Sequence, residues 1–317
     1  MNRPPGGVPR LAQIPPGVVT LAHPVLLAPV AYQRMAHPDG EFASALAAAV
    51  QGAGLVLSTQ ASVLLEDVAR LVLAEPQRGP LWMQLYLQHD RGFTAELVRR
   101  AERAGYEALV LTVDAPTSGA RDRERRAGFR LPPGVSAVNL AGLPPVTPPA
   151  LEAGQSALFD GLLRGAATWR DVEWLQGLTR LPVLLKGVLH EDDARQAAAL
   201  GVAGLIVSNH GGRTLDTAPA TAWVLPRIAD TVGGGLPLLV DGGIRRGTDV
   251  LKAVALGARA VLVGRPYVHG LATAGAQGVA HVLRLLRDEF EIAMALTGCA
   301  TLAEAGPSLL FGRSAPR

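Results

Sequence analysis

The sequence predicts an α/β protein, a (β/α)8 TIM barrel with a Pro/Gly-rich lid loop after the fourth strand, and three observations predict it. Eight short apolar runs recur along the chain, and each is continuous rather than alternating, as strands buried on both faces of a parallel sheet are. Segments rich in Ala and Leu separate them, opening on acidic residues and closing on glycine. Nearly every run also stops on a hydrogen-bonding or ionisable residue. A doubly wound open sheet is the alternative architecture for the same order of elements.

The runs, in order, are PVLLAP from Pro24, GLVLS from Gly54, PLWMQLY from Pro80 and ALVLTVD from Ala108, then PVLLKG from Pro182, GLIVSNH from Gly204, PLLVDGG from Pro237 and AVLVGRP from Ala260. The odd-numbered runs open on a proline. The even-numbered ones follow the glycine turns VQGAG, RAGYE, ALGVAG and ALGARA. This alternation reads as a βαβα unit used four times. Helices are predicted in DGEFASALAAAVQ, DRGFTAELVRRAERAG, EDDARQAAALG and GTDVLKAVALG. Between the fourth and fifth runs lie 67 residues, Ala115 to Leu181, too many for a simple connection. Their middle, PPGVSAVNLAGLPPVTPPALEAG, is Pro/Gly-rich. A Thr168-x-x-Asp171 capping box then starts a helix in TWRDVEWLQGL. The expected organisation is one domain over residues 1–317, with a short irregular segment at 1–23 and a mobile lid at 115–167.

Composition excludes several classes. With 317 residues, 49% hydrophobic and 18% charged, the chain can bury a large core. The net charge is only +3 and the arginines are scattered, so neither nucleic acid nor a membrane surface is expected as partner. The single cysteine, Cys299, forms no intramolecular disulfide. The first residues, MNRPPGGVPRLAQIPPG, lack a signal-peptide core, and no run of about 18 apolar residues could span a bilayer, so a cytoplasmic setting is expected.

In this barrel the chemistry gathers at the C-terminal ends of the strands. Those ends carry Ser58, Gln84 with Tyr86, Thr112 with Asp114, Lys186, Ser208 with His210, Asp241 with Gly242 and Gly243, and Gly264 with Arg265. The stretch LIVSNHGGRTLD also reads as a strand followed by a turn, but the company it keeps at the other strand ends favours function. DGGIRRG and VGRP end the last two strands, where barrels frequently bind phosphate. Backbone N–H groups at Gly243 and Gly264 and guanidiniums at Arg245 and Arg265 suit a phosphate dianion. Lys186 is one of two lysines against 28 arginines. Buried at a strand end, its ammonium needs an anion or an electron-rich group. A flavin fits, since it gains negative charge on reduction; a Schiff-base lysine is the alternative, and it leaves His210, Arg213, Tyr86 and Asp114 unexplained.

Taken together, APVAYQRMAHPDGE, MQLY, LTVDAP, LLKGV, SNHGGRTLD, DGGIRRGTDVLKA, VGRP and MALTGC resemble the FMN-dependent L-2-hydroxy acid oxidases and dehydrogenases, from about Pro24 to Phe311. That resemblance implies FMN contacts at Ala31, Ser58, Gln84, Thr112, Lys186, Ser208 and Asp241, with the phosphate on Gly243, Arg245, Gly264 and Arg265. It further implies that His210 is the base, that Arg213 and Arg121 hold the substrate carboxylate, that Tyr86 bonds the hydroxyl or keto oxygen, and that Asp114 stabilises the imidazolium. The implied partners are a small 2-hydroxy acid and O2 or another electron acceptor, and the implied assembly is a homotetramer. Oxidation of such an acid needs a base, a two-electron acceptor and fixed charge opposite the carboxylate, and the sequence supplies residues for each. His210 serves a hydride or a carbanion route equally.

Two positions depart from the family's pattern. The 24 residues before Val25 contain no tyrosine, whereas the family places there one that touches the carboxylate, so weak turnover of small acids is expected. Gln60 stands where relatives often carry a bulky aromatic, which points to a changed or larger acid. A flavin isomerase on the same barrel and a flavin-binding relative with little turnover are the alternative functions. No metal site is expected: His37 has no second ligand at metal spacing. Cys299, Trp169 and Trp174 read as packing residues.

Overall fold

The computed structural model describes residues 21–146, 150–161, 163 and 166–311. Eight parallel strands close into a barrel in sequence order, with the eighth pairing with the first. They are β1 Val25–Leu27, β2 Gly54–Leu57, β3 Leu81–Leu85, β4 Ala108–Thr112, β5 Val183–Val188, β6 Gly204–Val207, β7 Leu238–Asp241 and β8 Ala260–Val263. Seven lie inside their apolar runs and β5 extends one residue past its run, to Val188, so the predicted class holds. Helices fill the gaps between strands: α1 Glu41–Val50, α2 Leu65–Leu73, α3 Arg91–Ala104, α4 Asp122–Arg126, α5 Trp169–Leu178, α6 Glu191–Ala199, α7 Thr221–Val232, α8 Gly247–Ala255 and α9 Arg265–Leu296. The four predicted helices are α1, α3, α6 and α8, and the capping box at Thr168 and Asp171 starts α5.

The strands divide their side chains by a period of two. Leu26, Val56, Trp82, Ala108, Val110, Leu184, Ile206, Leu239, Ala260 and Leu262 form one buried cluster, the filling of the barrel. Their strand neighbours, such as Leu55, Met83, Leu109, Leu185, Leu205 and Val261, belong to a second cluster shared with the helices. Burial on both faces is why the runs are continuous in sequence.

The connection from β4 to β5 carries α4, a short turn at Val138–Leu140 and α5. It is pinned at Asn139, which is fully buried. The Asn139 amide donates to the Val63 carbonyl at 3.0 Å and its oxygen accepts from the Leu65 N–H at 2.9 Å. Of the segments expected from sequence, residues 1–20 of the irregular start and residues 147–149, 162, 164 and 165 of the lid lie outside the described residues. No helix among the described residues is long and apolar enough to cross a membrane.

Candidate active site at the C-terminal mouth of the barrel

The period of two that fills the barrel also places the polar residues. Two positions beyond the inward-facing Val56, Trp82, Val110, Leu184, Ile206, Leu239 and Leu262 stand Ser58, Gln84, Thr112, Lys186, Ser208, Asp241 and Gly264. The mouth is therefore the next inward layer of the barrel. Every side chain in it except glycine is buried yet polar. Ser58 donates to Gln84 Oε1 at 3.3 Å, and Gln84 Nε2 donates to Thr112 Oγ1 at 3.1 Å. Thr59, missed in the sequence reading, locks Gln84 in place: its hydroxyl donates to the Gln84 carbonyl at 2.6 Å and accepts from the Tyr86 N–H at 3.3 Å, and its own N–H donates to Gln84 Oε1 at 3.1 Å.

On the opposite side of the ring, the Lys186 ammonium donates to Ser208 Oγ at 2.9 Å and lies 3.1 Å from Asp241 Oδ2. The pair is buried, with side chains 5% and 11% exposed. Asp241 Oδ1 and Asn209 Oδ1 are buried without a hydrogen-bond partner. Buried polar atoms left unmatched in a native mouth call for a bound group.

The Nδ1 of His210 is 2.8 Å from Asp114 Oδ1. The His210 N–H is fixed by Ser208 Oγ at 3.1 Å, so Ser208 links the lysine to the histidine turn. Asp114 reaches the histidine over Gly187, another residue missed in the sequence reading. A Cβ at Gly187 would stand 2.4 Å from Asp114 Cβ, and Gly187 has φ +111°. The register of β5 against β6 shifts across this glycine, between Lys186 and Val188. The bulge thus clears room for the carboxylate without moving the lysine.

Beside this pair the Tyr86 phenol is pushed up to about 12, first by burial and next by the Asp114 charge, while the Arg121 and Arg213 charges pull it down. Both arginines are therefore close enough for their fields to bear on the tyrosine. Arg121, His210 and Tyr32 share a left-handed backbone with φ of +46°, +56° and +54°. Non-glycine residues adopt that conformation at a cost of order 1–3 kcal/mol, and such strain clusters at functional sites. Ala31, half-buried, immediately precedes Tyr32, whose N–H donates to the Gln60 carbonyl at 3.1 Å.

The remaining predicted residues fall at the ends of β7 and β8, which are paired neighbours. Gly243 has φ +82° and open space where a side chain would be. The Arg245 N–H is held by Asp249 Oδ2 at 3.0 Å, and its side chain is exposed. Gly264 caps α9, and Arg265 at its first position donates to the Gly211 carbonyl at 2.9 Å. A row of backbone N–H groups and two guanidiniums here, with buried Lys186 and the unmatched Asp241 and Asn209 oxygens further in, fits a flavin mononucleotide. Among the described residues no cluster of metal-ligating side chains occurs. Cys299 is a buried free thiol, and Arg91 stacks over Trp174 at 4.9 Å.

Fold and mouth together define a closed parallel barrel whose polar layer is built to hold an organic cofactor. The model of the FMN-dependent dehydrogenase family matches residues 19–311, and the chain belongs to that family. It is 53% identical over 284 residues to an L-lactate oxidase of Alicycliphilus denitrificans, covering 90% of this chain and 76% of that one. To glycolate oxidase 1 of Zea mays it is 49% identical over 285 residues, again 90% and 76%. Among solved structures it is similar to a mandelate oxidase with (S)-2-phenylpropionate, at a TM-score of 0.83 and 44% identity over 96% of this chain and 82% of that one. A variant of a mandelate oxidase with an FMN adduct superposes at a TM-score of 0.81. The chain is an FMN-dependent enzyme of the 2-hydroxy acid oxidase family, acting on a CH–OH group.

Proposed function

We propose that the enzyme oxidises an L-2-hydroxy acid to the 2-keto acid, with His210 as base and Arg213 and Arg121 binding the carboxylate. The observation that carries the proposal is the 2.8 Å contact between His210 Nδ1 and Asp114, set beside Tyr86 and two guanidiniums. With Nδ1 engaged by the carboxylate, Nε2 is the nitrogen left to take the substrate proton, and Asp114 offsets the positive charge that then forms. Tyr86 stays a neutral phenol at working pH and donates to the substrate oxygen. Arg213 and Arg121 fix the acid so that its Cα and hydroxyl meet the same face of the site.

Ser58, Gln84, Thr112, Lys186, Ser208, Asp241 and the backbone at Ala31 would hold the flavin ring and ribityl chain, and Gly243, Arg245, Gly264 and Arg265 its phosphate. FMN, when bound, supplies the two-electron acceptor. Lys186 would supply a cation to offset the negative charge that a flavin gains on reduction. The connection over residues 115–167 acts as a lid anchored at Asn139. The oxidase names of the relatives support O2 as the final acceptor, and the family reading carries a homotetramer as the assembly.

Anaerobic mixing with L-lactate, glycolate or L-mandelate tests this. Bleaching of the yellow flavin by at least one acid, with colour returning on admission of air, is the expected result. Flavin that stays oxidised across a broad panel of such acids would sink the proposal.

A further inference from the structure

Glu124, in α4, lies on the connection that follows Asp114, and its carboxylate is shared by both arginines. Arg213 Nη2 donates to Oε1 at 3.0 Å, and Arg121 Nη1 donates to Oε2 at 3.5 Å. One oxygen is given to each guanidinium, the division a bound carboxylate ligand would make. Arg121 stands one helical turn before Glu124, but Arg213 comes from the loop after β6, 89 residues away in sequence. The two loops also meet at backbone level: a Cβ at Gly119 would lie 2.6 Å from the Arg213 carbonyl and 2.3 Å from that of Thr214. The meeting of Glu124 with Arg213 is therefore set by the fold and not by the reach of a long side chain alone.

We infer that Glu124 is an internal occupant of the carboxylate clamp, which an incoming acid must displace to engage both arginines. The inference rests on reading Arg121 and Arg213 as that clamp. Glu124 is then a specificity-determining residue. An acid that brings only a carboxylate exchanges one ion pair for another and gains nothing, whereas a 2-hydroxy acid adds hydrogen bonds to Tyr86 and His210. Exposure makes such exchange feasible: the side chains of Arg213, Arg121 and Glu124 are 52%, 37% and 34% exposed, and ion pairs in that setting are weak.

Calorimetric titration of the FMN-loaded enzyme with oxalate, a dicarboxylate with no hydrogen to transfer, reads the clamp without turnover. Glu124→Gln should tighten oxalate about two- to tenfold and lower the KM for L-lactate by a similar factor. That gain should shrink as salt is raised. Asp122→Asn removes the same charge from the same helix and should leave oxalate affinity unchanged. Unchanged or weaker oxalate binding by Glu124→Gln would overturn the inference, weaker binding marking Glu124 as a brace for the arginines. An equal gain from Asp122→Asn would also overturn it, as a general charge effect. Oxalate results as expected with no bleaching by any 2-hydroxy acid would sink the oxidase reading and leave the clamp inference standing.

Discussion

His210 and Asp114 stand 96 residues apart in the chain and 2.8 Å apart in the fold, Nδ1 to Oδ1. The aspartate ends the fourth apolar run and the histidine the sixth, and the fifth strand lies between their strands in the barrel. The carboxylate crosses that strand where Gly187 leaves it room. His210→Ala should keep the flavin bound while its reduction by substrate slows by about two to four orders of magnitude in stopped-flow absorbance. Asp114→Asn should slow it less, because the base remains. Near-normal reduction by His210→Ala would place the base elsewhere.

Gly187 makes a sharper test of the same geometry. Gly187→Ala puts a methyl 2.4 Å from Asp114 Cβ and a side chain on a backbone with φ +111°. Strain of that kind is of order 1–3 kcal/mol. The melting temperature should fall and flavin reduction should slow. Adding Asp114→Gly, which removes that Cβ, should restore part of the stability and none of the rate, and a double variant no more stable than the single would refute the clash.

The buried Lys186 and Asp241 give a stability prediction. Lys186→Met leaves the Asp241 carboxylate without its cation in a site where the pair is 5% and 11% exposed. Breaking one partner of a buried pair is worth about 3–5 kcal/mol. Denaturant midpoints should show that loss, and Lys186→Met with Asp241→Leu should recover much of it. Both variants should bind FMN weakly in equilibrium dialysis. Tight binding by the double variant would show that neither side chain holds the cofactor.

His23 should make the fold sensitive to acid. Burial lowers its pKa below the ordinary 6.5, against the opposing hydrogen bond to the Gln51 carbonyl at 3.0 Å. A histidine with a depressed folded pKa contributes stability above its unfolded pKa and loses it as pH falls through the folded value. The melting temperature should therefore drop on acidification from about pH 6.5 downward. His23→Gln, which can keep the bond to Gln51, should flatten that drop. An unchanged slope would assign the acid sensitivity to other groups.

The barrel and most of its mouth were legible in the sequence, because both depend on a period that local order records. Trp82 and Gln84, Leu184 and Lys186, Ile206 and Ser208, Leu239 and Asp241 are pairs on one face of one strand, so the residue that ends a buried run marks the top inward layer before any fold is known. Helices with acidic starts and glycine ends were equally plain. Helix α7 was not among those predicted, since Pro226 lies inside it and packing, not propensity, carries it.

What only tertiary structure decided are the contacts between loops. Gly187 looks like any glycine after a strand until barrel closure brings Asp114 over it. Thr59 holds Gln84, 25 residues on, because β2 and β3 are neighbours. Glu124 reads as one charge in DRERR, and the sequence cannot say that Arg213 will share it. Strand periodicity is fixed by the covalent geometry of adjacent residues and survives in the sequence as a pattern. Which loop meets which is fixed by the closure and twist of all eight strands together, and no local stretch of the chain carries that information.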